Sequence, residues 1–124
     1  MSIFSRSRRS LAIAAAALVL SSSALAQTKS TRILVAFPPG GPVDFVARTL
    51  AEGLAKELGH SVIIENRAGG NGAVAAEAVT RATADGSTLW LTSVGAVAIN
   101  PALYEKLAYD PQRDLAPVSL VVNN

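Results

Sequence analysis

The spacing of hydrophobic and polar residues divides the chain into short apolar runs that alternate with longer periodic stretches. The runs at 32–37, 62–65, 88–93 and 115–122 have the length of strands, and the nearly continuous apolar character of the first is typical of a strand covered on both faces. Between the first two runs, charged side chains face away from an apolar stripe formed by Val46, Leu50, Leu54 and Leu58, which predicts a helix over 43–58. An alanine-rich stretch predicts a second helix over 73–82, and Asn100-Pro101 predicts a short third helix from 100 to about 106.

This order of elements, β-α-β-α-β-(α)-β, predicts an α/β fold with a mostly parallel sheet and helices on both of its faces. In such sheets ligands bind outside the carboxyl ends of the strands. The segments that follow the first three predicted strands are therefore the candidates for a binding site. We call them loop 1 (38–42), loop 2 (67–72) and loop 3 (93–100).

The first 26 residues have a different pattern from the rest of the chain. Three arginines lie within the first nine positions, an apolar run follows at 11–20, and Ala24-Leu25-Ala26 supplies a small-x-small ending. This is the arrangement of a secretory signal peptide, so we expect export and cleavage after Ala26. The apolar run is short for a membrane span, which needs roughly 20 residues, and an uncleaved anchor is the alternative. The pair Arg8-Arg9 leaves both the general and the twin-arginine export routes open.

Removal of this segment changes the interpretation of the charge. The 124 residues carry a formal charge of +2, but loss of the three arginines leaves eight basic residues against nine acidic ones, a net charge of −1. The mature chain then has no basic run with interleaved aromatic residues, which argues against nucleic-acid binding. The absence of cysteine excludes a thiolate site, and a single histidine excludes a two-histidine metal site. We expect neither a metal nor a cofactor.

Loops 1 and 3 each have a chemical and a purely structural interpretation. Loop 1 precedes a predicted helix start, where unpaired backbone N–H groups and the helix dipole attract an anion, but its sequence also suits a simple turn. Loop 3 begins beside the hydroxyls of Thr92 and Ser93 and contains Gly95. Hydroxyls and free N–H groups can bind a carboxylate without a counter-charge, although an ordinary strand exit explains the same residues.

Loop 2 raises the alternative of a nucleotide-binding Rossmann-like enzyme. It contains Gly70-Asn71-Gly72, the start of a G-x-G-x-x-A string between a predicted strand and a predicted helix. Such a site also needs an acid at the end of the next strand to hold the ribose, and that strand ends in Thr92-Ser93. A tight turn is the simpler interpretation of the glycines.

No constellation of catalytic residues is found along the chain, so we do not expect an enzyme. Ser93 lacks the G-x-S-x-G context of a nucleophile. His60 follows the helix-ending Gly59, which places it at the opposite end of the sheet from the three loops and favours a surface role. Trp90 lies within the third predicted strand, where a core position is expected.

Six strings occur in a fixed order along the mature chain: FPPGGPVD at 37–44, ENRAG at 65–69, DGSTL at 85–89, INPALY at 99–104, YDP at 109–111 and APVSLV at 116–121. Together they resemble the Bug/TctC family, the extracytoplasmic solute-binding receptors of tripartite tricarboxylate transporters. The resemblance implies a type II periplasmic-binding-protein fold, whose two lobes close on the ligand. It also implies a periplasmic receptor that captures small carboxylates and delivers them to a membrane permease.

The resemblance further implies which residues bind the ligand. Carried over by position, they are Phe37, Pro38, Pro39, Gly40, Gly41 and Asp44 around loop 1, and Ser93, Gly95, Asn100 and Pro101 in or beside loop 3. Two departures from the family pattern are expected to affect specificity. Val43 and Ala96 stand where family members often have a hydroxyl residue, so two donors are missing.

The length of the chain is the larger departure, because family receptors have two lobes and the resemblance spans only 31–121 here. We therefore expect a signal peptide over 1–26 and the N-terminal part of the first lobe over 27–124, with the second lobe absent. A single partial lobe cannot close on a ligand. The expected protein is a truncated receptor with weak or absent ligand binding.

Overall fold

The computed structural model describes residues 29–123, and the predicted signal peptide lies outside these residues. Three strands form one sheet: β1 (Ser30–Val35), β2 (Ser61–Asn66) and β3 (Thr88–Leu91). The long helix α1 (Pro42–Leu58) connects β1 to β2, and α2 (Ala73–Thr80) connects β2 to β3. A short 3₁₀ turn (Gly70–Gly72) leads into α2. A π-helical turn (Gly95–Ile99) runs into α3 (Asn100–Leu103), and α4 (Pro111–Asp114) follows.

All three strands are parallel, in the order β2-β1-β3. The central strand β1 pairs with β2 from Ser30 opposite Ser61 to Val35 opposite Asn66, and with β3 from Arg32 opposite Thr88. The crossovers β1-to-β2 and β2-to-β3 run in opposite directions across the sheet, and right-handed connections then place α1 and α2 on opposite faces of it. The predicted α/β fold with a parallel sheet is confirmed.

The apolar core lies where α1 covers the central strand, and it is built with small residues on the helix side. Ile33 and Val35 of β1 pack against Ala47, and the fully buried positions of α1 are Asp44, Ala47 and Ala51. The predicted stripe is therefore confirmed only in part: Leu54 packs against the core from a half-buried position, whereas the last member, Leu58, is 47% exposed. Alanines let the helix approach the sheet more closely than leucines would. The helix ends at Gly59, as predicted, in a left-handed conformation.

The predicted fourth strand at 115–122 is wrong. Residues 115–123 form no regular secondary structure, and Val118 and Leu120 are 82% and 78% exposed. A strand needs a neighbouring backbone to pair its N–H and C=O groups, and none of the described strands runs beside this segment. Pro117 also lacks an N–H. The apolar run therefore has strand character but no pairing partner within residues 29–123.

Helical structure around the third predicted helix begins earlier than the sequence suggests, with the π-helical turn at Gly95–Ile99, and α3 itself ends sooner. Asn100 has helical dihedral angles and directly follows the π-helical turn, so it is not an N-cap, and α3 ends at Leu103. In a continuous α-helix the ring of Pro101 would clash with the carbonyl group of Val97. The wider π geometry before Pro101 relieves that clash, and such turns occur often at functional sites.

Candidate functional site

The carboxyl ends of β1 and β3 meet at one edge of the sheet because these strands are parallel neighbours. The chain leaves β1 for β2 on one side and then crosses back to β3 on the other, so the topological switch point lies between β1 and β3. Loop 1 follows β1 and loop 3 follows β3. The structure therefore places these two loops on either side of the crevice where open α/β sheets bind ligands.

The carboxylate of Asp44 holds loop 1 in place. Asp44 is 3% exposed and lies in the first turn of α1. Its Oδ2 accepts hydrogen bonds from the Gly40 N–H at 2.9 Å and from Arg48 Nε at 2.9 Å. Its Oδ1 accepts from Arg48 Nη2 at 3.1 Å and from Asn66 Nδ2 at 2.9 Å. Both oxygens are thus engaged with protein groups, which makes Asp44 a support for the loop.

These contacts also stabilise the charged form of the carboxylate. Hydrogen bonds from Arg48, then from the Gly40 backbone and from Asn66, hold the pKa of Asp44 well below its usual range. The pKa of the Arg48 guanidinium is raised in return, chiefly by its hydrogen bonds to Asp44. Because the carboxyl pKa is lowered in the folded chain, its contribution to stability is complete above the ordinary Asp pKa and is lost as the pH falls further.

Sequence reasoning missed the role of Asn66, the last residue of β2. Its side-chain amide donates to the carbonyl oxygen of Phe37 at 3.1 Å as well as to Asp44. Phe37 and Asp44 flank loop 1 on either side, so one amide connects both flanks. Asn66 belongs to the ENRAG string, but that string alone does not predict which groups its side chain binds.

Loop 3 is largely helical, and a buried amide supports it. Asn100 is completely buried, and its Nδ2 donates to the backbone oxygen of Asn71 and to Tyr109 Oη, both at 3.1 Å. Its Oδ1 accepts from Asn71 Nδ2 at 2.7 Å. Tyr109 Oη donates in turn to the carbonyl oxygen of Ala96 at 2.6 Å. Asn100 therefore ties loop 2 to the π-helical turn, and like Asp44 its side chain is engaged with the protein.

Loop 2 forms a tight turn against the start of the π-helical turn. Gly70, Asn71 and Gly72 all have positive φ, at 55°, 49° and 93°. A Cβ on Gly72 would lie 2.8 Å from the Cβ of Ala96, a distance that real side chains do not tolerate. The loop also follows the edge strand β2 and not the switch point. The turn interpretation of the glycines explains this geometry, and nothing in residues 29–123 supports the nucleotide alternative.

The remaining predicted site residues divide between the sheet edge and another surface. Pro38, Pro39 and Gly40 are exposed in loop 1, whereas Phe37 is half-buried and packs on the core. Ser93 and Gly95 are half-buried at the exit of β3. Pro101 instead lines a groove of about 680 Å³ beside α4, together with Val97, Tyr104 and Tyr109. Pro101 therefore lies at the start of α3 on the wall of this groove.

The two positions that depart from the family pattern face inward. Val43 packs on the core beside Val35, and Ala96 is 1% exposed against Gly72. A hydroxyl at 96 would thus face loop 2 and not the open edge of the sheet. Nearby, Thr92 Oγ1 and Trp90 Nε1 are buried without a hydrogen-bond partner among the described residues.

The other titratable and aromatic candidates lie away from this edge. His60 Nε2 lies 2.9 Å from Thr31 Oγ1 at the amino end of the sheet, as the sequence predicts. Trp90 packs edge-on against Tyr109, with ring centroids 5.8 Å apart. Within residues 29–123, no group of carboxylate and imidazole side chains is arranged to hold a metal ion. In the same part of the chain, no helix is long and apolar enough to cross a membrane.

Comparison with known proteins gives these loops a context. The family model described as "Tripartite tricarboxylate transporter family receptor" matches residues 46–124. The chain is 42% identical to the protein BugT of Bordetella pertussis over 91 residues, which is 73% of this chain and 28% of BugT. It is 42% identical to a UPF0065 protein of Bordetella bronchiseptica over 118 residues, which is 92% of this chain and 35% of that protein. The chain thus spans about a third of the length of the curated relatives it matches.

Solved structures match at similar identity. MatC of Rhodopseudomonas palustris with bound malate aligns with a TM-score of 0.68 and 42% identity, over 74% of this chain and 32% of MatC. The periplasmic binding protein BugD aligns with a TM-score of 0.62 and 38% identity, over 66% of this chain and 27% of BugD. An R. palustris protein with adipate aligns with a TM-score of 0.64 and 36% identity, over 70% and 29%. The similarity concerns part of each known structure.

Proposed function

This chain belongs to the tripartite tricarboxylate transporter receptor family, and from that premise we propose that it supplies one side of a periplasmic binding site for small carboxylates. The observation that carries the proposal is the position of loops 1 and 3 on either side of the switch point between β1 and β3. The proposed function is capture of a ligand for transport, with no chemical reaction on it.

The donors at this edge suit a carboxylate. The first N–H groups of an α-helix have no intrahelical acceptor, and Gly41, the N-cap of the 17-residue α1, has no side chain to cover them. Ser93 adds a hydroxyl donor at the exit of β3. The negative charge of Asp44 does not oppose an anion here, because Arg48 binds both of its oxygens. A ligand carboxylate would therefore meet donors without an uncompensated like charge.

The roles of the predicted site residues follow from their exposure. We assign ligand contact to the exposed or half-buried positions at the edge, which are Phe37, Pro38, Pro39, Gly40, Gly41, Ser93 and Gly95. Asp44 and Asn100 act through the loops they support. MatC with malate and the R. palustris protein with adipate are the basis for choosing dicarboxylates as the ligand class. Export through cleavage after Ala26 and delivery to a membrane permease complete the proposal.

The described residues form one face of the site, so affinity should be low. We expect malate to bind the 124-residue chain with a dissociation constant of the order of 1 mM or weaker. Amide resonances of Gly40, Gly41, Ser93 and Gly95 should shift during an NMR titration. The dimethyl ester of malate, which lacks both charges, should cause no shifts there. Shifts confined to other residues, or micromolar affinity for this chain alone, would contradict the proposal.

A matched pair of serine variants tests the donor at loop 3. Ser93→Ala removes the proposed hydroxyl donor and should weaken malate binding about fivefold, as expected for one lost hydrogen bond. Ser61→Ala changes a serine at the amino end of β2 and should leave binding unchanged. Equal effects in the two variants would place the ligand elsewhere. N-terminal sequencing of the exported product tests the localisation separately, and we expect Gln27 as the first residue.

A further inference from the structure

The segment from the end of β2 to the start of α2 lies next to both proposed ligand loops. One of its ends contacts loop 1, and the other contacts loop 3. We propose that residues 66–72, which we call the brace, are the positioning element of the binding site. In this proposal the brace fixes loop 1 through Asn66 and the π-helical turn of loop 3 through Asn71. That loops 1 and 3 bind a ligand rests on the proposed function. Whether the brace holds these loops in place can be measured without any ligand.

The Asn66 end of the brace controls loop 1. The amide of Asn66 binds the Phe37 carbonyl oxygen and the Asp44 carboxylate, on the two flanks of the loop. Asp44 also accepts the Gly40 N–H from the middle of the loop. Loop 1 is thus connected at its beginning, middle and end to one amide and one carboxylate, and its three prolines restrict the backbone further.

The Asn71 end controls loop 3. Asn71 offers both its side-chain amide and its backbone oxygen to Asn100, which is completely buried. A Cβ on Gly95 would lie 3.1 Å from Asn71 Nδ2, so the side chain of Asn71 also lies against the first residue of the π-helical turn. Asn71 therefore contacts both the start of that turn and the residue that follows it.

The backbone of the brace is strained at Asn71. Asn71 is the only non-glycine residue with positive φ between 29 and 123, at φ 49° and ψ 42°. A left-handed conformation is unfavourable for residues with a side chain, although asparagine tolerates it better than most. Glycine at 71 would remove that cost, but glycine could not bind Asn100. The side-chain contacts thus give a reason for a strained asparagine at this position.

Two loops that are distant in sequence are therefore positioned by one seven-residue segment. Binding sites gain affinity when their donors are already ordered, because less conformational freedom is lost when the ligand binds. Damage at one end of the brace should loosen one loop and leave the other in place. This selective response separates a positioning role from a general contribution to stability.

Amide hydrogen exchange in the ligand-free 124-residue chain tests this response directly. The Gly40 N–H donates to Asp44 and reports on loop 1, whereas the Ala96 N–H donates to the Ser93 carbonyl oxygen at 3.2 Å and reports on loop 3. The Ser87 N–H donates to the Asp85 carboxylate in a separate turn and serves as the internal control. The two variants are Asn66→Ala and Asn71→Gly, the second of which keeps the left-handed backbone accessible.

We expect Asn66→Ala to accelerate exchange at Gly40 about tenfold, with Ala96 and Ser87 within twofold of the parent chain. Asn71→Gly should do the reverse, accelerating Ala96 and sparing Gly40. Equal acceleration at all three amides in both variants, or no change at either reporter, would overturn the brace. If Asn66→Ala does not fold, Asn66→Ser replaces it, because the serine hydroxyl can still donate one hydrogen bond. We expect this variant also to accelerate exchange at Gly40 and to spare Ala96 and Ser87. A malate titration of the parent chain is a separate experiment. Absence of malate binding would contradict the proposed function, but it would not affect the conclusion drawn from hydrogen exchange.

Discussion

Loops 1 and 3 lie at the same edge of the sheet but are held by different chemistry. Loop 1 depends on the buried carboxylate of Asp44, whose partner Arg48 is 56% exposed to solvent. Loop 3 depends on the neutral side chains of Asn100 and Tyr109, which are both buried. A charged support responds to pH and salt, whereas a neutral buried support is sensitive mainly to the loss of a partner. The predictions below test this difference, from the largest expected effect to the smallest.

Removal of the central amide of loop 3 should have the largest effect. Asn100→Ala removes a fully buried side chain, and it deprives the amide of Asn71 and the buried hydroxyl of Tyr109 of one partner each. We expect the free energy of unfolding to fall by about 3 kcal/mol in urea titrations followed by the fluorescence of Trp90. Asn123→Ala, at an exposed position, is the matched control and should change nothing. A similar loss in both variants would show that the buried amide does not support loop 3.

Disturbing the close contact between loop 2 and loop 3 should cause the second-largest loss of stability. Gly72→Ala adds a Cβ that meets Ala96 at 2.8 Å and also disfavours the required φ of 93°, so a loss of about 2–3 kcal/mol is expected. Gly86→Ala introduces the same φ problem in open space and should cost only about 1 kcal/mol. Equal losses in a thermal unfolding comparison would mean that the contact with Ala96 is unimportant.

Loss of one hydroxyl should have a smaller effect on loop 3. Tyr109→Phe removes the donor to the Ala96 carbonyl oxygen and the acceptor for Asn100, while the ring can still pack on Trp90. We expect a loss of about 1–1.5 kcal/mol in the free energy of unfolding. Tyr104→Phe, at an exposed position, should be neutral. A neutral Tyr109→Phe would remove Tyr109 from the support of loop 3.

The pH response should separate the two loops without any core substitution. Since the pKa of Asp44 is lowered, the Gly40 amide resonance should stay constant from pH 7 to about 4, the ordinary Asp range, and change only in more acidic solution. The Ala96 amide resonance should not follow the same curve. Asp44→Asn should abolish the acid response of Gly40. A Gly40 titration centred at pH 4 or higher would contradict the charged support of loop 1.

Much of this fold could be predicted from the sequence because local signals agreed with one another. The first three strands, the two longer helices and Gly59 as a helix end follow from apolar periodicity and glycine placement. The predicted fourth strand does not form. The apolar run at 115–122 has strand propensity, but a strand also needs a neighbouring strand to pair with, and the sequence does not show whether one is present. The buried face of α1 was predicted only in part, because the pattern weighted large apolar residues such as Leu54, whereas the most buried apolar positions are Ala47 and Ala51.

The position of the candidate loops was more predictable from the sequence than the contacts of their residues. The rule that ligands bind at the carboxyl ends of strands selected loops 1, 2 and 3, and the strand order places loops 1 and 3 at the switch point. Asp44 and Asn100 were predicted as ligand contacts, but their partners are Arg48, Asn66, Asn71 and Tyr109. The contacts with Asn66 and Asn71 join residues 22 and 29 positions apart, and no local pattern encodes them.

The central claim is that loops 1 and 3 of this chain form one face of a carboxylate site, and a chimera tests it most directly. Residues 31–121 would replace the matching segment of MatC, so that the remainder of MatC supplies the rest of the site. We predict that calorimetry detects malate binding, weaker than that of MatC because the two faces are not matched, and no binding of the dimethyl ester. A folded chimera that binds no malate, or that binds the ester equally well, would contradict the claim.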